Sequence, residues 1–413
     1  MTGQRVHIVG AGIVGLATAA ALVQRGCSVT IFDREGVAAG ASRGNAAAIA
    51  WTDVAPLASP GIWKEAIGWL ADPLGPLSVR PAYSLKILPW MLRFLAASSK
   101  SRVEASTQAL AALNGEAYPA WDRLWKASGT HNQVRHEGCL EVFDNEAKLQ
   151  RARPSWAEQR RYGIDVTELS GDDLRAQEPE LSDHVVGGAL LPGWTQVDDP
   201  LHLCQSLASW LKEQGVLFEL ADVSAIVPTE HGADVRLVSG ETHPADHVVV
   251  ACGPWSRMLA SQLGDAVPLD TERGYNITVP SPGLKLRRFV MLPGHGFVLS
   301  PLSTGLRIGG AVEFGGLELA PNWKRVDAMI TKAKSLFPNL DASKGERWMG
   351  FRPSLPDSLP VIGPASASNR VTYAFGHAHH GLTQAATTGE LITALVIGEK
   401  PAVDLLPFSA QRF

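Results

Sequence analysis

Three histidines crowd into four positions near the C-terminus, His377, His379 and His380 in "YAFGHAHHGLTQAATTGELITALVIGEK" (residues 373–400). Imidazoles at such density raise metal chemistry first. A metal centre needs three or four ligands converging on one point with a supporting outer shell. His379 and His380 are adjacent on a turn and must point in different directions, and the rest of the chain offers no spaced partner group. The expectation is therefore no metal. At the other end, Gly10-x-Gly12-x-x-Gly15 in "VHIVGAGIVGLATAAALVQRGCSVTIFDRE" has the spacing of a phosphate-cradling turn. Gly10 makes the turn, Gly12 lets backbone approach a pyrophosphate, and Gly15 lets a helix close on a strand. Asp198 and Asp199 resemble a catalytic carboxylate pair, but Asp followed by Pro200 is what a helix start requires.

These groups need elements to position them. Val6–Val9 predicts a buried strand, Leu16–Gln24 an Ala-rich helix stopped by Gly26, and Ser28–Phe32 a second strand ending in Asp33. Strand, glycine turn, helix, strand and terminal acid in this order predict a bound dinucleotide, with the first-turn amides on the diphosphate and Asp33 on a ribose. Asp33 would repel a 2′-phosphate, which disfavours NADP and leaves FAD and NAD. Residues 40–61 are small and flexible, and Trp63–Ala127 has helical spacing with breaks at Asp72, Pro81 and Ser98. A helix over Leu201–Gln214 is capped by Asp199, and "DHVVVACGPWS" returns a strand to the dinucleotide sheet. Residues 267–314 are rich in β-formers, as expected of a second, mixed sheet. Arg347–Pro364 is proline-rich and expected to be irregular, followed by a strand "RVTYAFG" and a helix Leu382–Ile397 ended by Gly398. The histidines thus fall in a strand-to-helix turn.

The chain has 413 residues, 45% of them hydrophobic, enough for two domains. A net charge of −4 with interspersed signs argues against nucleic acid as a partner. Cys27, Cys139, Cys204 and Cys252 lie far apart without a C-x-x-C pair, as expected of reduced thiols in a cytoplasmic setting. The apolar run Ile8–Val23 is too short to span a bilayer, and Tyr83–Ser98 contains Lys86, Pro89 and Arg93, which leaves it the character of an amphipathic surface helix.

The order "VHIVGAGIVG…IFDRE", "SRGNAAAIA", "VACGPWS", "ERGYNITVP", "GFRPSLPDSLPVIGP", "GHAHHGLTQA" and "PFSAQRF" resembles the flavin-dependent D-amino-acid dehydrogenases, a branch of the D-amino-acid oxidase and glycine oxidase superfamily, over essentially the whole chain. The resemblance implies an α/β fold: a Rossmann-type FAD-binding domain (residues 1–57, 165–262 and 346–413) with an interleaved α+β substrate-binding or cap domain on a mixed sheet (58–164 and 263–345). It implies FAD held non-covalently by Gly10, Gly12, Ile13, Val14, Gly15, Asp33, Arg34, Ser42, Asn45, Ala46, Ala47, Val223, Cys252, Gly253, Trp255, Gly350, Arg352, Gly376, His377, Gly381, Leu382 and Thr383. The Gly381, Leu382 and Thr383 amides would face the flavin where negative charge collects on reduction.

Amino-acid oxidation at Cα needs the Cα hydrogen aimed at flavin N5 and an unprotonated amine, with the protein orienting the substrate. The resemblance makes Arg352 the carboxylate fork, a geometry only arginine provides, with Tyr275 adding a hydroxyl and His377 beside the flavin as a third catalytic group. His379 and His380 fall where the family varies and are expected to line the substrate pocket. A small D-amino or imino acid is implied, D-proline or a D-hydroxyproline foremost, with electrons passing to a quinone, the respiratory chain or O2. Peripheral attachment to the inner face of the membrane and a hetero-oligomer are further expectations. Three alternatives stay open: an oxidase of glycine- or sarcosine-type amines, a nicotinamide dehydrogenase, which should not need dinucleotide contacts from both chain ends, and a flavin-binding subunit of a larger amine dehydrogenase complex.

Overall fold

The computed structural model describes residues 3–61, 75 and 77–413. Residues 63–74 of the expected helical segment, including Asp72, lie outside the described residues.

The first sheet has six strands in the order Leu217–Leu220, Ser28–Asp33, Arg5–Val9, His247–Val250, Ser368–Phe375 and Val361–Ala365. The first five are mutually parallel and the last is antiparallel. Parallel strands are buried on both faces, so they read as unbroken β-branched runs. Val6, Ile8, Val248, Val249 and Val250 are all fully buried. On one face they meet the helices Ile13–Gln24, Pro200–Glu213 and Gly381–Ile397. The other face is covered by a three-stranded sheet, Val223–Pro228, Ala233–Leu237 and Thr242–Ala245. Asp199 caps its helix as expected, accepting from the Leu201 and His202 amides at 2.8 and 3.2 Å.

The second sheet is mixed. Its order is Glu346–Ser354, Asp270–Val279, Gly305–Phe314, Phe297–Leu302, Phe289–Leu292, Cys139–Phe143, Gly187–Leu191 and Thr167–Ser170, with Leu77–Val79 beside the end of Gly305–Phe314. The helix Lys324–Leu336 covers one face through Val326, Met329, Ala333 and Leu336.

Three expectations need correction. Glu346–Ser354 is not irregular: it pairs with Asp270–Val279 over nine residues. Pro353 is tolerated because this is the sheet's edge strand, where a missing N–H costs no ladder bond. Residues 167–191 and 346–354 hydrogen-bond into the second sheet, so the domain boundaries drawn at 165 and 346 move to after Leu191 and after Ser354. The helices Lys100–Gly115 and Ala117–Ser128, assigned to the cap, instead bury Leu110, Leu113, Trp121 and Trp125 in the core of the first domain.

Candidate active site

Two helix N-termini open onto one cavity of about 690 Å³ that runs between the two sheets. At the first, Gly10 adopts φ +115°, and a Cβ there would lie 2.4 Å from the Ala251 carbonyl oxygen. A Cβ on Gly15 would lie 2.0 Å from the Gly10 oxygen, so the helix closes on the strand only through glycine. The Ile13 amide donates to Ser42 Oγ at 3.0 Å. Asp33 accepts from the amides of Ala11, Glu35 and Gly36 at 2.8–2.9 Å. Three of its roughly four lone-pair sites thus hold the turn, leaving about one for a ribose hydroxyl. Beside it the Arg34 guanidinium lies 4.0 Å over the Trp255 ring, a flat cationic and aromatic wall.

At the second end Gly376 has φ +86° and fits against Leu355. The seventeen-residue helix Gly381–Ile397 begins without a side-chain cap, its first turn lining the cavity. Trp121 Nε1 fixes that turn from behind, donating to the Leu382 and Thr383 carbonyls at 3.0 and 3.1 Å, while Thr383 Oγ1 accepts from the Ala50 amide at 2.9 Å. An uncapped N-terminus carries partial positive charge and fits an anionic or electron-rich ligand edge. Two such ends joined by one elongated cavity fit a dinucleotide with a redox-active ring, the diphosphate at Gly12 and the ring at Gly381.

The histidines separate. His377 is 3% exposed, its Nε2 3.0 Å from Thr388 Oγ1, and burial, with His380 nearby, pushes its pKa down to about 3. It is a neutral imidazole bonded through Nε2 to the following helix, a geometry that favours a positioning role over the expected catalytic one. His380 Nε2 sits 3.8 Å from Asp53, with burial lowering its pKa and Asp53 opposing. His379 Nε2 lies 2.7 Å from Glu272 Oε2. Among the described residues no three His, Cys, Asp or Glu side chains converge on one point.

Arg352 and Glu272 stand opposite each other in the ladder, which puts both side chains on one face. The Arg352 guanidinium lies against Gly274, where a Cβ would come within 2.4 Å of Cζ. Its hydrogen bond to the protein, among the described residues, is Nη1 to the Ala311 carbonyl at 3.1 Å. Burial lowers its pKa and Glu272 counters this. Glu272 is 2% exposed. Burial raises its pKa, but His379, Ser354 Oγ at 2.5 Å and Arg352 outweigh that and keep it below the ordinary glutamate value. A buried carboxylate thus stands beside both the arginine and His379, the one histidine of the three with a carboxylate at hydrogen-bond distance.

Tyr275 needs a second correction. Its hydroxyl donates to Glu313 Oε1 at 2.7 Å and accepts from the Asn322 amide at 3.0 Å, so it is committed to the sheet and the 315–322 loop, leaving only its ring toward the cavity. Of the other expected site residues, Gly15, Ala47 and Gly376 shape the turns without lining the cavity; Gly10, Gly12, Ile13, Val14, Asp33, Arg34, Ser42, Asn45, Ala46, Val223, Cys252, Gly253, Trp255, Gly350, Arg352, Gly381, Leu382 and Thr383 line it, as do His377, His379 and His380. Gly274, Glu272 and Trp348 escaped sequence reasoning. Trp348 lies so close to Gly44 and Gly350 that a Cβ on either would come within 2.3 and 1.9 Å of its ring. The glycine of "GFRP" that precedes Arg352 was the available signal.

The signature of the FAD dependent oxidoreductase family DAO matches residues 5–395. The chain is 35% identical over 418 residues to a D-amino-acid oxidase of Bradyrhizobium diazoefficiens, covering 100% of this chain and 99% of that one. It is 30% identical over 403 residues to a D-amino acid dehydrogenase of Vibrio vulnificus, covering 95% and 96%. The crystal structure of glycine oxidase from Geobacillus kaustophilus superposes with a TM-score of 0.78 at 22% identity, over 99% of both chains, a likeness of fold. The chain belongs to the DAO family of FAD-dependent oxidoreductases.

Proposed function

We propose that this FAD-dependent oxidoreductase oxidises the Cα–N bond of a small D-amino acid, giving an imine or 2-oxo acid, with the electrons leaving to an acceptor other than NAD(P). The observation that carries this is Arg352: a guanidinium facing the cavity, engaged by one carbonyl, with donors to spare for a carboxylate. The D configuration is favoured by the names of the relatives at 35% and 30% identity.

When bound, FAD supplies a two-electron acceptor, which no side chain of the protein can. Gly12, Ile13 and Asp33 would hold its adenosine diphosphate half, and the first turn of Gly381–Ile397 the electron-rich edge of its ring. Arg352 grips the substrate carboxylate through two parallel charge-assisted bonds. Glu272 keeps Arg352 and His379 in place. Because a carboxylate only accepts, His379 donates to Glu272 through Nε2. Trp348, the Tyr275 ring and His379 wall the cavity beside Arg352, and flat walls suit a compact ring, so D-proline or a D-hydroxyproline is the favoured substrate. Trp194, Phe289 and Phe297 line the same cavity as apolar walls.

The test is an anaerobic bleaching scan of the purified yellow protein against D- and L-amino acids, imino acids and sarcosine. Denaturation should release the chromophore, since FAD is held without a covalent bond. Bleaching by D-proline ahead of acyclic D-amino acids is expected. Reduction by L-amino acids alone would overturn the stereochemistry, and a protein that no amino acid bleaches would instead be a flavin-binding subunit.

A further inference from the structure

We propose that Asp53 and His380 form a subsite that selects D-amino acids carrying a hydroxyl on the side chain. The proposal rests on the reading of Arg352 as the carboxylate clamp. Asp53 lies in the turn that follows Ala48–Ile49, and both ends of that turn are tied to the helix Gly381–Ile397. The Ala50 amide donates to Thr383 Oγ1, and the Asp53 amide donates to the Ala50 carbonyl at 3.0 Å. The Asp53 carbonyl accepts from Asn114 Nδ2 at 2.8 Å, and Asn114 Oδ1 accepts from Gln384 Nε2 at 2.9 Å. Asn114 and Gln384 are both fully buried. Ala50 and Val54, on either side of Asp53, pack into one apolar cluster with Trp194 and Phe289. The backbone of Asp53 is thus fixed, and the residue lines the cavity.

Its carboxylate is not used by the fold. The side chain is 44% exposed, makes no hydrogen bond among the described residues, and has His380 Nε2 3.8 Å away. That separation is too long for a direct hydrogen bond and short enough for one hydroxyl oxygen to reach both groups. The other carboxylates lining the cavity, Asp33, Glu35 and Asp222, belong to its adenosine end, where the Ala221 amide donates to the Asp33 carbonyl at 2.9 Å. The adjacent histidines point apart, His379 to Glu272 beside Arg352 and His380 to Asp53. Asp53 is therefore set across the histidine turn from the clamp.

Chemistry decides which part of a bound amino acid meets it. Hydride leaves Cα only when the amine is unprotonated, and a carboxylate beside the amine would hold its proton on. The amine is thus the wrong partner, and the side chain remains. Burial, with His379 adding to it, lowers the His380 pKa although Asp53 opposes, so the ring is a neutral partner at pH 7. A hydroxyl both donates and accepts, so it satisfies the carboxylate and serves the imidazole in either tautomer, whereas a side-chain ammonium only donates. A site that hydrogen-bonds a substrate hydroxyl rejects the analogue without it, because its polar groups are then left unpaired.

Anaerobic flavin reduction is compared for wild type, Asp53→Ala and Asp53→Asn with substrates that differ by one hydroxyl: the cis and trans 4-hydroxy-D-prolines against D-proline, and D-serine against D-alanine. In the wild type the best hydroxylated substrate should exceed its bare counterpart at least about tenfold in efficiency. Asp53→Ala should bring that ratio toward one, and Asp53→Asn, which keeps an acceptor without the charge, should leave it in between. Butanoate and its 3- and 4-hydroxy derivatives, which have no amine to oxidise, are titrated in parallel and followed by flavin absorbance. A hydroxy derivative should bind more tightly than butanoate to the wild type and lose that advantage in Asp53→Ala. Equal efficiency with and without the hydroxyl overturns the proposal. So does a fall in Asp53→Ala that is the same for both members of a pair, which makes Asp53 a contact of the amine or of the fold. Faster reduction by D-lysine or D-ornithine than by any hydroxylated substrate overturns it as well, since the subsite then takes a cation. The two readings part in these samples: bleaching with no hydroxyl preference keeps the D-amino-acid activity and removes the subsite, and hydroxyl-dependent binding of the butanoates without bleaching does the reverse.

Discussion

The two strand-to-helix turns of the cavity use one backbone device in opposite ways. The turn at Gly10–Ile13 is stripped of side chains; its selectivity lies in glycines that have no room for a Cβ and in amides at a helix N-terminus. The turn at Gly376–Gly381 is crowded, its three imidazoles sent to Thr388, Glu272 and Asp53. A diphosphate asks only for amides and space. A redox ring with a substrate beside it asks for side chains held in position, and here the holding is done by buried partners such as Glu272. The first turn is thus intolerant of added atoms and the second of lost partners.

Adding one methyl to the first turn should do the most damage. Gly10→Ala places a Cβ 2.4 Å from the Ala251 oxygen at φ +115°, a strain of about 2–4 kcal/mol. The variant is expected to purify colourless or to melt well below wild type, as absorbance and a thermal scan will show; full flavin content would mean the turn has slack. Arg352→Lys keeps the charge and loses the fork. Losing a charge-assisted bond of about 1.5–3 kcal/mol should lower kcat/KM by about tenfold to a hundredfold with flavin content intact, and unchanged substrate saturation would remove Arg352 as the clamp.

Glu272→Gln sharpens the contrast further, because it leaves the shape and takes the charge behind Arg352 and His379. Steady-state kinetics should show a loss of about tenfold in kcat/KM together with an altered pH profile, while FAD binding holds; a uniform fall in flavin content would make Glu272 a packing residue. The smallest effect is on stability. Burial, the largest cause in each case, pushes the pKa of His7 and His247 down to about 4 and of His377 to about 3. Below pH 6.5 the unfolded chain binds protons that these folded imidazoles refuse, so stability falls as pH falls from 6.5 toward 3, by up to about 1.4 kcal/mol per unit for each. Glu141 acts oppositely: burial raises it to about 7, so its folded form keeps a proton that the unfolded chain loses above 4.5. Stability from Glu141 therefore drains away as pH rises toward 7. Melting curves from pH 5 to 8 should show Glu141→Gln gaining on wild type at the alkaline end and His377→Gln gaining at the acid end; parallel curves would deny both.

The first turn was legible because its information is its spacing: three glycines between a β-branched run and an Ala-rich helix dictate strand, cradle and helix with no help from the rest of the chain. The second was legible only as a turn. His377, His379 and His380 announce themselves by type, but their partners Thr388, Glu272 and Asp53 are set by packing between distant elements. Arg352 was found through a resemblance, and its strand was read as irregular because Pro353 hides an edge strand from propensity. Glu272 opens the stretch "ERGYNITVP" without any role legible from it, and becomes visible only when the ladder sets it opposite Arg352. Tyr275 failed for the same reason, since nothing local says that its hydroxyl meets Glu313.

Helices Ile13–Gln24 and Gly381–Ile397 touch backbone to backbone, with Gly389 so close to the Ala17 carbonyl that a Cβ would lie 2.6 Å away. One of these helices leaves the ribosome early and the other late. Several hundred codons separate them, or tens of seconds of elongation at about 5–20 residues per second. During that interval the nascent chain can offer a cofactor only half of its cradle, so firm flavin capture must wait until translation is nearly finished, and truncated chains should emerge colourless.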